Sequence, residues 1–100
     1  MSATPVYRKK ITRPDGLVIE AVVWRVAPPV AGCTHPFKYR LYAGRDGRCV
    51  VRYDNERGKG DHKHLGRVEV AYAFRSLDQL MADFSADVNR LGGHDGESGN

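Results

Sequence analysis

Residues 52–64 concentrate the side chains of this sequence that could carry out chemistry. Two histidines, at 62 and 64, lie among carboxylates, arginines, lysines and glycines. Imidazole titrates near neutral pH and can act as a general base or a general acid. Guanidinium and ammonium groups can stabilise developing negative charge. The candidate catalytic residues are therefore His62, His64, Asp61, Arg52, Asp54 and Lys59.

These residue types suit metal-independent cleavage of RNA. The two histidines would serve as base for the 2′-hydroxyl and acid for the 5′-oxygen, and Asp54 or Asp61 would orient one of them. Cations position phosphates and aromatic rings stack on bases of single-stranded RNA. The candidate nucleic-acid-binding residues are Lys38, Arg40, Tyr42, Arg57 and Lys63. The hypothesis is a ribonuclease that needs no cofactor.

Two alternatives use the same residues. In an extended chain, His62 and His64 point to one side and could bind a metal ion with Asp54 or Asp61. Such a site lacks a third strong ligand at motif spacing, so His35 or His94 would have to complete it. The other alternative is a basic binding module without catalysis, which docks on nucleic acid or on an acidic protein partner.

Charge is distributed unevenly along the 100 residues. Residues 1–75 hold 15 Lys and Arg against 7 Asp and Glu, whereas residues 76–100 hold one Arg against five acids. A basic region of this kind favours an anionic partner. The length predicts a single domain over residues 1–92. The Gly-rich residues 93–100 are expected to form a disordered tail.

Localisation follows from what the sequence lacks. Arg8, Lys9 and Lys10 precede alternating residues rather than the apolar core of a signal peptide. No stretch approaches the roughly 18 apolar residues of a membrane span. Cys33 and Cys49 have no motif spacing, so we interpret both as free thiols. We therefore expect a cytoplasmic protein.

The elements that would position these residues begin with two hairpins. Strands at 6–12 and 17–26 flank a Pro-Asp-Gly turn, and the second strand is apolar enough to be central and covered on both faces. The expected pairs are Ile11 with Ile19, Tyr7 with Val23, and Lys10 with Glu20.

The second hairpin joins strands 37–43 and 49–55 through Arg45-Asp46-Gly47. Its expected register pairs Leu41 with Val51 and Tyr39 with Tyr53, which places Tyr53 in the core. The same register sets Arg40 opposite Arg52, and like charges in that position destabilise a sheet unless an anion or acid intervenes. A bound anion or a neighbouring acid would relieve this repulsion; the alternative is that both guanidinium groups turn into water.

The residues after the second hairpin are predicted to form a loop, a strand and a helix. Glycines at 58, 60 and 66 predict a loop over residues 56–66, and alternating apolar residues predict a strand over 67–74. A capping box at Ser76–Gln79 starts a helix over 76–91, with Leu91 on its apolar stripe. The fold class is α+β: an antiparallel sheet of about five strands, with the C-terminal helix packed on one face.

Several segments together resemble the TumE-like family of small prokaryotic toxins. They are the Phe37–Tyr42 run, Arg52–Glu56, Lys59–His64, Tyr72-x-Phe74 and the Asp83–Val88 segment. The resemblance spans roughly residues 35–90, and its most specific part is the pair RYDN and GDHKH. It implies a toxin neutralised by a cognate antitoxin, often one with a helix-turn-helix DNA-binding domain. It supplies no set of catalytic residues. A homodimer through the edge of such a small sheet is a further expectation.

Overall fold

The computed structural model describes residues 2–93 as one antiparallel sheet and one helix. Each strand pairs with its neighbours in the chain, so the spatial order is β1-β2-β3-β4-β5-β6. The predicted α+β class is confirmed, with six strands rather than about five. The tail predicted as disordered lies outside the described residues, apart from Gly93. The elements are β1 (Ser2–Thr12), β2 (Val18–Ala27), β3 (Phe37–Arg45), β4 (Arg48–Glu56), β5 (Gly60–Leu65), β6 (Val68–Ala71) and α1 (Leu77–Gly92).

The first hairpin has the predicted register. Ile11 pairs with Ile19, Tyr7 with Val23, and Lys10 with Glu20. The expectation that β2 is covered on both faces is wrong, however. Ala21 and Val23 are buried, whereas the residues that alternate with them are half-buried. The reason is that α1 covers only one face of the sheet.

The predicted register of the second hairpin is wrong by two residues. Leu41 pairs with Tyr53, and Arg40 pairs with Asp54 instead of Arg52. The turn has two residues, Asp46 and Gly47, both with positive φ as a type I′ turn requires. A bulge at the Ala43/Gly44 step then adds the second residue of the shift. Because the shift is even, Tyr53 still reaches the core, where it is fully buried. The expected Arg–Arg repulsion does not arise.

The loop predicted over residues 56–66 is largely a strand. The chain reverses tightly around Gly58, whose φ is 85°, and Gly60 then begins β5. The strand predicted over 67–74 is shorter, and Val68 and Val70 are exposed. Tyr72 and Phe74 follow β6 and pack against the core. Both histidines of the central stretch therefore lie on a strand rather than on a loop.

The helix prediction is confirmed in position and start. Ser76 is the N-cap, and its hydroxyl oxygen accepts a hydrogen bond from the backbone N–H of Gln79 at 3.0 Å. Leu80, Phe84 and Val88 are buried against β3 and β4, but Leu91 is 42% exposed. Among residues 2–93, no helix is long and apolar enough to cross a membrane.

The C-terminal end of α1 is held by arginines from distant turns. Arg13 donates to the carbonyl oxygens of Gly93 and Gly92 at 2.7 and 3.3 Å, and Arg45 donates to Gly92 at 3.1 Å. These bonds satisfy carbonyls that a helix end leaves without partners. Asp15 bridges the two guanidinium groups. The hydrogen bond from Arg13, and another from the Leu17 N–H, lower the pKa of Asp15 to about 2.

Candidate functional site

The strand registers sort the candidate residues onto two faces of the sheet. Directly opposed residues of an antiparallel pair share a face. Arg52 opposes His64 and Tyr42, and Asp54 opposes His62 and Arg40. The α1 helix packs on the other face, where Tyr53 contacts it. We call Arg52, Asp54, His62 and His64 the open-face cluster, because they lie on the face without the helix.

Asp54 and His62 form the buried base of this cluster. Their exposed fractions are 8% and 4%, and Asp54 Oδ1 lies 2.6 Å from His62 Nε2. The angles at this contact are unsuited to a hydrogen bond, so both atoms are buried without a directed partner. The other ring nitrogen, His62 Nδ1, lies 3.2 Å from the Gly60 carbonyl oxygen. The two groups are thus in close contact without a well-aligned hydrogen bond.

Arg52 and His64 form the accessible part of the cluster. Arg52 Nη2 lies 2.8 Å from His64 Nε2 and, because guanidinium only donates, this nitrogen accepts and carries no proton. Arg52 Nε lies 3.2 Å from Asp54 Oδ2, also without hydrogen-bond alignment. The His64 side chain is 20% exposed and that of Arg52 is 30% exposed, against 5% for His62. Solvent and ligands can therefore reach His64.

Lys59 and Glu69 lie at the rim of the cluster. Lys59 Nζ is 3.1 Å from Glu69 Oε2, and Glu69 Oε1 is 3.6 Å from His64 Nε2. The hydrogen bond to Glu69 raises the pKa of Lys59, and its counterpart lowers the pKa of Glu69. Lys59 thus stays a cation, which suits it to charge stabilisation rather than proton transfer.

Arg40 and Tyr42 extend the open face along β3. The Arg40 guanidinium lies 5.2 Å from the centroid of the Tyr42 ring, and its side chain is 53% exposed. The Tyr42 hydroxyl lies over Gly44, where a Cβ would overlap it and would also come within 2.7 Å of the Arg48 carbonyl oxygen. Gly44 is thus required for this position of the ring.

Two candidate residues lie on the helix face instead. Asp61 accepts from the Tyr39 hydroxyl at 2.6 Å and lies 2.8 Å from His35 Nε2. Lys63 Nζ lies 3.2 Å from Asp87 Oδ2. The aspartate that contacts a histidine of the central stretch is consequently Asp54, and Lys63 is placed to hold β5 to α1.

The remaining candidates, Lys38 and Arg57, line a groove of about 590 Å³ beside the open-face cluster. Apolar residues from the end of β2 and the following loop, including Val26, Pro28 and Val30, form most of it. The Lys38 ammonium donates to the Asn55 carbonyl oxygen. Within residues 2–93, no hydrogen bond or ion pair joins either cation to His62 or His64.

Sequence reasoning did not identify Glu69 or the role of His35. Glu69 opposes His64 across β5 and β6, which could have been found from the Gly66-Arg67 turn had β5 been predicted as a strand. His35 stacks on Phe74 with ring centroids 3.7 Å apart. Among residues 2–93, two groups have metal-ligand chemistry and spacing: Asp54-His62-His64 and Cys33-His35-Asp61. Both cysteines are free thiols, as predicted.

Comparison with known proteins gives one match. A protein-family model described as "Toxin TumE" matches residues 2–91, which are most of the chain. The match covers the whole sheet and nearly all of the helix. Neither the curated proteins nor the solved structures yield a match.

Proposed function

The chain belongs to the TumE toxin family, and from this premise we propose that it is a toxin that cleaves RNA at the open-face cluster. The family accounts for the toxin and for an antitoxin partner. The RNA target and the chemistry are our proposal. The observation that carries it is the pairing of an accessible, unprotonated His64 nitrogen with the Arg52 guanidinium at 2.8 Å.

This pairing provides two of the functions that cleavage of a phosphodiester requires. His64 would take the proton of the 2′-hydroxyl at Nε2 once Arg52 turns from this nitrogen to the phosphate, and the 2′-oxygen then attacks phosphorus. The P–O5′ bond breaks, and the 5′-oxygen takes up a proton from water. Arg52 would stabilise the charge on the phosphorane oxygens, because a fixed cation at that point favours the transition state. His62 is too buried to touch RNA, so it and Asp54 would position Arg52.

The surrounding surface supports RNA as the substrate. Arg40, which is exposed, and the Tyr42 ring lie on the same face as the cluster, and Lys59 lies at its rim. A cation close to an aromatic ring can hold a phosphate while the ring stacks on a base. Single-stranded RNA exposes both groups, and an open sheet face can accept it without a deep cavity.

The test compares the intact protein with His64→Gln and His64→Ala. Glutamine can still accept the hydrogen bond from Arg52, but it cannot take up a proton at neutral pH. Induction of the intact protein is expected to arrest growth and fragment transcripts. Both effects should be lost in the glutamine variant, with thermal melting and RNA affinity retained.

Growth arrest with intact RNA would instead favour a binding toxin without catalysis, which is the second candidate. Its supporting observation is that Arg40 and Lys59 are exposed cations that need no catalytic partner. Fragmentation that persists in the folded glutamine variant would refute the role of His64.

We also propose that the antitoxin carries a helix-turn-helix DNA-binding domain and presents acidic residues to the basic β1 strand. All of β1 is exposed, and it includes Arg8, Lys9 and Lys10. Co-expression followed by co-purification, with charge-reversed β1 as the matched variant, tests this. A homodimer through the same edge is the competing use of β1, and size-exclusion chromatography of the toxin alone would detect it.

A further inference from the structure

We propose that the open-face cluster binds a divalent transition-metal ion of the zinc type through Asp54, His62 and His64. One ligand atom from each of these residues lies within 4.8 Å of the other two. Such a spacing lets three donors reach a common centre with small side-chain movements. The binding itself does not depend on the proposed cleavage of RNA.

The geometry of His62 supports an ion more directly than the spacing does. The Gly60 carbonyl oxygen can only accept, so His62 Nδ1, 3.2 Å from it, carries the ring proton. In the neutral ring, Nε2 then presents a lone pair to Asp54 Oδ1 at 2.6 Å. Two acceptors this close repel each other unless a cation lies between them, and the Arg52 guanidinium contacts the other carboxylate oxygen, Oδ2, at 3.2 Å instead. Histidines that bind metals commonly donate their other N–H to a backbone carbonyl, as His62 does.

A proton would be the simplest such cation, but the contact lacks the alignment of a hydrogen bond. Asp54 Oδ1 and His62 Nε2 are both buried without a hydrogen-bond partner. Buried polar atoms without partners are rare in folded proteins and indicate that something else satisfies them. A metal ion displaced from the line between the two atoms would satisfy both.

The donor set selects the class of ion. Two imidazole nitrogens and one carboxylate oxygen, with no thiolate, suit Zn²⁺ and Co²⁺ rather than Mg²⁺ or Ca²⁺. Carboxylates from Glu56 and Glu69 lie 3.8 Å from His62 Nε2 and 3.6 Å from His64 Nε2. They add negative charge around the site and offer a fourth ligand.

Arg52 is compatible with the ion because it can remain outside the ligand set. Its Nε faces Asp54 Oδ2, which leaves Oδ1 for the metal. Carboxylates that bind metals commonly contact an outer group, and Arg52 is such a neighbour of Asp54 through an ion pair without hydrogen-bond alignment. The contact between Arg52 Nη2 and His64 must be released, and the Arg52 side chain is exposed enough to turn toward solvent.

The second group with suitable spacing, Cys33, His35 and Asp61, does not fit an ion in the same way. His35 Nδ1 accepts from the Phe37 N–H at 3.2 Å, so the proton is on Nε2, which donates to Asp61 at 2.8 Å. No lone pair on this ring is left for a metal. Burial raises the pKa of the Cys33 thiol, which opposes the thiolate that a metal requires.

Metal titration of the full chain, with any affinity tag removed, tests the proposal. Co²⁺ is expected to bind one equivalent with visible d–d bands and without a thiolate charge-transfer band, and Zn²⁺ should displace it. His64→Ala and Asp54→Asn should each weaken binding by more than about 100-fold, since loss of an outer partner alone costs 10–100-fold. Cys33→Ser is the matched control and should leave binding unchanged. Circular dichroism establishes that each variant is folded.

Three results would overturn the inference. They are a thiolate charge-transfer band, unchanged affinity in both folded ligand variants, and no saturable binding of either ion. If the proposed cleavage is also correct, Zn²⁺ should inhibit it, because the ion and the general base use the same His64 lone pair. Saturable binding without inhibition would refute the base role and leave the metal site standing. Cleavage that needs His64, in a protein that binds neither ion, would support the base role and refute the metal site.

Discussion

Replacing His62 by alanine tests whether the buried half of the open-face cluster is structural. The substitution leaves the Asp54 carboxylate, 8% exposed, without the imidazole that lies 2.6 Å away. Removing one partner of a close buried pair, so that a charged group is left uncompensated, costs about 3–5 kcal/mol. Because Arg52 still lies 3.2 Å from Asp54, we expect the lower end, about 3 kcal/mol. For a domain of this size each kcal/mol lowers Tm by roughly 4–8 °C, so the expected decrease is about 12–24 °C.

The matched variant is His64→Ala, whose side chain is 20% exposed. Loss of its hydrogen bond with Arg52 should cost only about 1 kcal/mol. Urea unfolding at pH 7.5, followed by the fluorescence of Trp24, the single tryptophan, measures both variants under identical conditions. Sequence alone treats the two histidines alike, whereas the structure predicts a difference of about 2 kcal/mol between them.

A double-variant cycle identifies the cause of the loss. The double variant Asp54→Asn/His62→Ala removes the uncompensated charge. Its loss of unfolding free energy should therefore be smaller than the sum of the losses of the two single variants by about 1–3 kcal/mol. A His62→Ala cost below about 1 kcal/mol, or strict additivity with Asp54→Asn, would refute the role of His62 as the partner of the buried Asp54 carboxylate.

Three further predictions concern other parts of the fold. Although burial alone would raise it, hydrogen bonds from Tyr53, Arg90 and Lys63 hold the pKa of Asp87 below its usual value. The contribution of Asp87 to stability is therefore present above about pH 4 and is lost as the pH falls through the lowered pKa. Urea unfolding at pH 7 should show a lower unfolding free energy for Asp87→Asn than for wild type, and at pH 3 the two unfolding free energies should converge. Gly44→Ala should lower the unfolding free energy by about 1–3 kcal/mol, since its Cβ would meet the Tyr42 ring and backbone; unchanged stability in chemical denaturation would contradict this. Arg40→Ala, in a His64→Gln background, should reduce the salt slope of single-stranded RNA affinity by about 0.7 in anisotropy titrations, and an unchanged slope would place RNA elsewhere.

The helix and the first hairpin were predictable because their determinants are local. Ser76 caps the helix through a residue three positions on, and the Pro-Asp-Gly turn fixes the pairing of Ile11 with Ile19. The register of the second hairpin was not predictable, because apolar alternation has a period of two and is unchanged by a two-residue shift. The turn at Asp46-Gly47 and the bulge after Ala43 decide between the two registers.

The candidate site was predictable in its residue types and only partly in its geometry. Alternation placed His62 and His64 on one side, as observed. Which aspartate accompanies them depends on where β4 turns into β5, and the glycines at 58 and 60 suggested a loop rather than a tight reversal. Exposure also depends on tertiary packing, so the burial of His62 and the accessibility of His64 could not be distinguished in the sequence.

The meander order of the sheet has a consequence for how the protein folds. Each ladder joins strands that follow one another in the chain, so each can form by closing a short loop, and sheets with local pairing fold faster than sheets with distant pairing. The β4–β5 hairpin, which contains the whole open-face cluster, needs no partner from either terminus. The distant step is the docking of α1, whose last carbonyls meet Arg13 from about 80 residues earlier. We therefore expect the cluster to assemble early and the helix end to close the structure last, so that stopped-flow folding rates should respond to substitutions around Gly58 more than to loss of Arg13.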